Sequence, residues 1–190
     1  MATICAIDFQ GWVVDEEFRE PDLGRLAIRF HETTVCGRGS LNMQLDEHRA
    51  RMILESSHAA WSRGDVEGVL RHYADDLSYH CNTGGPDGGP LLIEGKQALR
   101  DFLQAIVDVA ESVSVPEYLR YSDGVGRSKI ECYIRHKTTH HTLVGSYRQL
   151  VTYRDNRIAR TEEFHDAAKM IAFWKMISGE AAIEKALLAE

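Results

Sequence analysis

Cysteine and proline are scarce in this chain of 190 residues, with four of each. Cys5, Cys36, Cys81 and Cys132 lie far apart and form no Cys-x-x-Cys pair, which excludes a zinc ribbon or a dithiol redox motif. No secretory leader is expected, because Asp8, Asp15, Glu16 and Glu17 interrupt the apolar residues near the N-terminus. The cysteines are therefore expected as free thiols, and the protein as cytoplasmic. No apolar run reaches the roughly 18 residues of a membrane span. Positive charge is in deficit: 22 Lys and Arg against 29 Asp and Glu leave a net charge of −7 with no basic cluster, which argues against a nucleic-acid partner. What remains is 44% hydrophobic and 27% charged, the composition of an ordinary globular domain.

Residues 1–42 hold no helical or strand period, and we expect an N-terminal appendage, with the working domain starting at Met43. From there the punctuation sharpens. Asp46 suits the N-cap of a helix to about Arg63 with an inner stripe of Ala50, Ile53, Ser57, Ala60 and Trp61. Gly64 suits the left-handed position after it, and Asp65 caps a short second helix carrying Val66, Val69, Leu70 and Tyr73. A strand over 77–81 follows, then a Gly- and Pro-rich loop over 83–90 whose glycines lack a phosphate-binding spacing. A third helix spans about 96–110, with Leu99, Phe102, Leu103, Ile106 and Val109 on one face. Four strands are expected at about 112–121, 127–137, 143–154 and 157–165, the first pair joined by a turn at 122–124 and the last by one at 154–156. A helix at 166–178 ends at Gly179, and 180–190 forms a helical tail. The fold class is α+β: a cone-shaped, strongly curved antiparallel sheet wrapped around three N-terminal helices, plus a C-terminal helix. Such a sheet suits a small-molecule cavity.

Four segments, 60–65, 70–77, 93–99 and 153–166, resemble the SnoaL-like branch of the nuclear transport factor 2-like superfamily, which includes ketosteroid isomerases, polyketide cyclases and limonene epoxide hydrolase. The resemblance spans about 45–178 and implies a conical cavity for a small hydrophobic molecule and a homodimer paired through the outer sheet face. It also implies where chemistry would sit. The isomerase's catalytic Asp aligns with Cys81, its oxyanion-hole Tyr lies near Ser57, and its neutral Asp lies near Ser146 or Tyr147. The epoxide hydrolase's first-strand Tyr aligns with Tyr79 and its final-strand Asp with Glu163. The departures, above all Cys81, argue against either particular reaction.

Glu163 and His165 stand two apart on one strand and share a face, which by the resemblance is the cavity. A carboxylate beside an imidazole can run a proton shuttle, with His165 as base and Glu163 orienting it, or with Glu163 itself as acid or base. Tyr79 is expected to steady negative charge on oxygen. Ser57, Trp61, Cys81, Phe102, Tyr133, Tyr147 and Gln149 are the expected ligand-lining residues, with Tyr133 on a strand whose Ile130, Cys132 and Ile134 also read as inward. His136, His140 and His141 flank one hairpin loop, but such a loop does not orient three ligands, so no metal and no cofactor are expected. The expected function is small-molecule binding with cofactor-free proton transfer of isomerase, cyclase, dehydratase or hydrolase type. The alternative is a non-catalytic binding or dimerisation module.

Overall fold

The computed structural model describes residues 45–85 and 88–187, with side chains as far as residue 178. The expected appendage 1–42 lies outside the described residues. Asp46 caps helix α1 (Glu47–Trp61), accepting from the Arg49 N–H at 2.8 Å. Gly64 takes the left-handed conformation after it, at φ 69°. Asp65 then caps α2 (Val66–Leu70) by accepting from Gly68 N–H at 2.7 Å. The remaining elements are β1 (Tyr73–Cys81), β2 (Leu91–Glu94), α3 (Lys96–Val109), β3 (Ala110–Ser122), β4 (Val125–His136), β5 (Thr142–Arg154), β6 (Arg157–Phe164) and α4 (Ala167–Leu187). Asp123, Asp155 and Asn156 adopt positive φ at the two expected tight turns, as short Asx side chains tolerate.

Three elements differ from expectation. Tyr73 opens β1 instead of closing α2, because its ring is buried among sheet residues. The short β2 pairs antiparallel with β1, Cys81 facing Leu91 and Tyr79 facing Ile93. Gly179 does not stop α4, which runs on to Leu187 and takes in most of the expected tail.

The six strands form one curved, open sheet in the order β2-β1-β6-β5-β4-β3. It is mixed: β1 lies parallel to β6, and every other pairing is antiparallel. The parallel pair is a long-range closure that brings the first strand beside the last. α1 packs against β3, and α3 against β1, β2 and β3. Between helices and sheet lie Leu54, Leu70, Leu77, Leu99, Val151 and Ile158, each no more than 2% exposed. Burying each such side chain is worth about 1.5–3 kcal/mol. The expected α1 stripe shifts slightly: Ala50, Leu54, Ser57, His58 and Ala60 are buried, while Ile53 and Trp61 pack at its margin.

Candidate functional site

Register alone assembles the site. Cys81 on β1 faces Glu163 on β6, which faces Gln149 on β5, which faces Ser128 on β4, so four strands contribute one inward polar row. In the next row lie Tyr147 and, just past the end of β6, His165; their rings stack at 4.1 Å. Asn82 fixes the chain there through a two-way bond with His165, its Oδ1 accepting from the backbone N–H at 2.8 Å and its Nδ2 donating to the carbonyl at 2.9 Å.

Glu163 is the centre. Its side chain is 12% exposed and that of His165 11%. Oε2 accepts from the Tyr79 hydroxyl at 2.8 Å and from His165 Nε2 at 3.0 Å, and Oε1 accepts from Gln149 Nε2 at 2.9 Å. Burial would raise the carboxyl pKa, but the His165 bond and charge, with the Tyr79 and Gln149 donors, outweigh it and hold Glu163 below its ordinary value. Burial opposes charge on His165 too, yet the Cys81 thiol and Glu163 carboxylate overcome it and raise its pKa to about 9. The pair is therefore a carboxylate and an imidazolium near neutral pH. Burial and the Glu163 charge push the Tyr79 and Tyr147 phenols well above their ordinary range, so Tyr79 keeps its proton as a donor.

Behind Gln149 lies a residue that the sequence reading missed. His58 of α1 is 7% exposed, with Nδ1 2.7 Å from Ser114 Oγ and Nε2 3.3 Å from Gln149 Oε1. The signal was its place four residues after Leu54 on the buried stripe. Asn82 and Ser114 were missed as well, because nothing local says which residues the sheet brings near them.

Of the expected site residues, Glu163, His165, Tyr79, Cys81, Tyr147 and Gln149 come together. Tyr79 donates to Glu163 and so is already engaged, which differs from the expected role at a ligand oxygen. Phe102 stands beside Tyr79, centroids 6.0 Å apart, and Trp61 packs at the core margin. Ser57 is buried on α1 next to His58. Tyr133 does not face the site: it pairs with Val144, 46% exposed, on the outer face, because strand alternation turns it away from Cys132 and Ile134. A pocket of about 240 Å³ opens at the strand ends, where Cys81, Asn82, Leu91 and Glu163 meet His80, Leu92, Glu162 and Phe164 of the outer face. Among the described residues, Cys81, Glu163 and His165 are the group whose donor atoms, all within 4.8 Å of one another, could hold a metal ion. A metal there would have to break the Glu163–His165 bond and displace the imidazolium proton.

Helices packed on a curved, open mixed sheet in this order make the nuclear transport factor 2-like fold. The chain belongs to the SnoaL-like domain family, whose model matches residues 54–161. Solved structures agree on the fold. A putative polyketide cyclase from Xanthomonas campestris is 21% identical, covering 66% of this chain and 96% of its own, with TM-score 0.58. A putative isomerase from Bacillus subtilis is 20% identical over 62% and 86%, with TM-score 0.55. An epoxide hydrolase from M. tuberculosis, described as LEH-like, is 15% identical over 73% and 97%, with TM-score 0.55. No curated protein matches the sequence. No described helix is long and apolar enough to cross a membrane.

Proposed function

We propose that this protein binds a small, largely apolar molecule at the Glu163–His165 pair and moves a proton on it, without a cofactor, in a reaction of isomerase, cyclase, dehydratase or hydrolase type. The buried ion pair carries this reading. An imidazolium held at 3.0 Å by a carboxylate is a positioned proton donor, and a pKa of about 9 keeps it loaded at neutral pH. Tyr79 and Gln149 hold Glu163 in place and ionised, so His165 gives and recovers the proton while Glu163 orients the ring. Leu91, opposite Cys81, and Phe102, beside Tyr79, pack against the core on the inner face and offer apolar surface for a hydrocarbon body.

The test is turnover of a panel of small apolar epoxides and enolisable ketones, the ketones in D2O, where NMR reads C–H exchange whatever the product. Wild type should show epoxide opening or exchange, and Glu163→Gln and His165→Ala should each lower it by about 100-fold or more. Turnover equal to wild type in both variants would end the assignment.

One observation favours a second reading, a non-catalytic binding or dimerisation module. The three donors on Glu163 make it a weak base, and the Tyr79 hydroxyl spends its one proton there and has none for a ligand oxygen. Panel members that raise the melting temperature yet return unchanged and unexchanged would decide for it. Under either reading we propose a homodimer through the outer sheet face, where Leu92, Tyr118, Val144 and Phe164 are each at least 43% exposed. Sedimentation that finds only monomer at micromolar concentration would dismiss it.

A further inference from the structure

We infer that His58, neutral and fixed as the Nε2–H tautomer, is a positioning residue that orients the Gln149 amide so that it donates to Glu163. This deepens the proposal that Glu163 and His165 are the working pair, and it rests on that reading for its functional meaning.

The hydrogen-bond directions can be worked out from one end. An ionised carboxylate only accepts, so the Gln149 atom 2.9 Å from Glu163 Oε1 is the amide nitrogen. The other Gln149 atom, facing His58, is then the carbonyl oxygen, which also only accepts. At 3.3 Å from it, His58 Nε2 has to carry the proton. Burial pushes the His58 pKa down, the Gln149 bond and the Glu163 charge only partly opposing it, so the ring is neutral and Nδ1 is an acceptor. The Ser114 hydroxyl, 2.7 Å away, therefore donates to Nδ1. Ser114 is held in turn, its N–H donating to Ser62 Oγ at 2.9 Å while the Ser62 hydroxyl donates to the Ser114 carbonyl at 3.3 Å. The donors run in one sense: Ser114 to His58, His58 to Gln149, Gln149 to Glu163. Without His58 the Gln149 carbonyl oxygen loses its donor, and the amide is held toward Glu163 by the carboxylate alone, free to swing away from it. The chain links α1, β3, β5 and β6, and each member apart from Glu163 is at least nine-tenths buried.

The titratable groups facing Glu163 are His58 from α1, Tyr73, Tyr79 and Cys81 from β1, Cys132 from β4, Tyr147 from β5, and His165 beyond its own strand. The readout must therefore isolate single sites. Imidazole ¹⁵N shifts of the full-length protein at pH 7 report the His58 tautomer directly. Side-chain carboxyl ¹³C shifts report the Glu163 titration. We expect a protonated Nε2 and an unprotonated Nδ1 in the wild type. We expect the Glu163 midpoint to rise by about one to two pH units in His58→Leu, the worth of one hydrogen bond to a charged group. His58→Gln, which can again place an N–H toward Gln149, should restore most of that shift. An Nδ1–H tautomer or an imidazolium at position 58 in the wild type would overturn the inference, even if His58→Leu fails to fold. So would a Glu163 midpoint unchanged in His58→Leu. Neither measurement depends on turnover, so a protein without activity on the panel would leave this result standing, and the reverse also holds.

Discussion

The inner face of one sheet carries two kinds of burial. At one end Tyr73, Ile158 and Tyr153 are cross-strand neighbours against Leu70 and Leu77, and the contacts are mainly apolar. Farther along the same strands Cys81, Glu163 and Gln149 occupy the matching positions, and nearly every contact is a directed hydrogen bond. Strand alternation, burial and pairing are alike in the two regions. They differ in what a wrong side chain costs. The apolar end needs shape and volume, while the polar end needs each donor matched to an acceptor and each charge to its partner. The first is a generic core. The second is worth its desolvation only if it does something, which is the physical ground for placing function there.

The largest effect should come from the apolar end. Ile158→Ala removes a side chain that is 1% exposed and should cost about 2–5 kcal/mol in urea unfolding, with no change in the ¹⁵N signature of the polar cluster. A changed signature would mean that the two regions are one mechanical unit.

Next comes the ion pair, where the sign of the effect depends on company. Glu163→Gln alone should cost about 3 kcal/mol by leaving the buried imidazole without its counter-charge. Adding His165→Gln should cost clearly less than the sum of the single changes, since no charge is then stranded. Strict additivity in the double-mutant cycle would show that the pair contributes no coupling.

The pH profile follows from the same two groups. His165 is raised to about 9, so its contribution is complete below its ordinary 6.5 and is lost as pH climbs through 9. Glu163 is lowered, so its contribution is complete above its ordinary 4.5 and is lost as pH falls through the lower value it has when folded. Stability from the pair should therefore be greatest between about pH 4.5 and 6.5, and Glu163→Gln should flatten the alkaline limb. Unfolding free energies at five or six pH values would check this.

The smallest effect should come from outside both regions. Arg160 reaches Glu162 at 2.8 Å on the solvent face, and Arg160→Ala should change stability by less than about 1 kcal/mol. A larger loss would mean that the Arg160–Glu162 pair itself lies inside the proposed dimer contact instead of at its rim.

Much of the frame could be read locally. The Asp46 and Asp65 caps, the left-handed Gly64 and the turns at 123–124 and 155–156 are consequences of a few adjacent residues, and each sits where its chemistry predicted. The misreadings mark where local signals give out. Leu91–Glu94 is too short to show a period, and it becomes a strand because β1 offers an edge. Tyr73 fits helical spacing equally well, and the sheet claims it. Tyr133 competes with Ile130 for the inward face, and only the register against β5 turns it outward. Glu163 and His165 were visible as a pair two residues apart. Their partners were not, since Tyr79 is 84 positions away, Gln149 14, and His58 lies 91 from Gln149.

By itself the sequence determined every element but β2, the α+β class and the family, because capping, turn and periodicity signals act over a handful of positions; it misplaced the end of α4, which runs on to Leu187. Only the tertiary structure decided that β1 would lie parallel to β6, and hence that a thiol, a carboxylate and an amide would meet in one row with a neutral histidine behind them. Those relations depend on register between strands far apart in the chain, and a single residue's slip would have turned every one of these side chains to the other face.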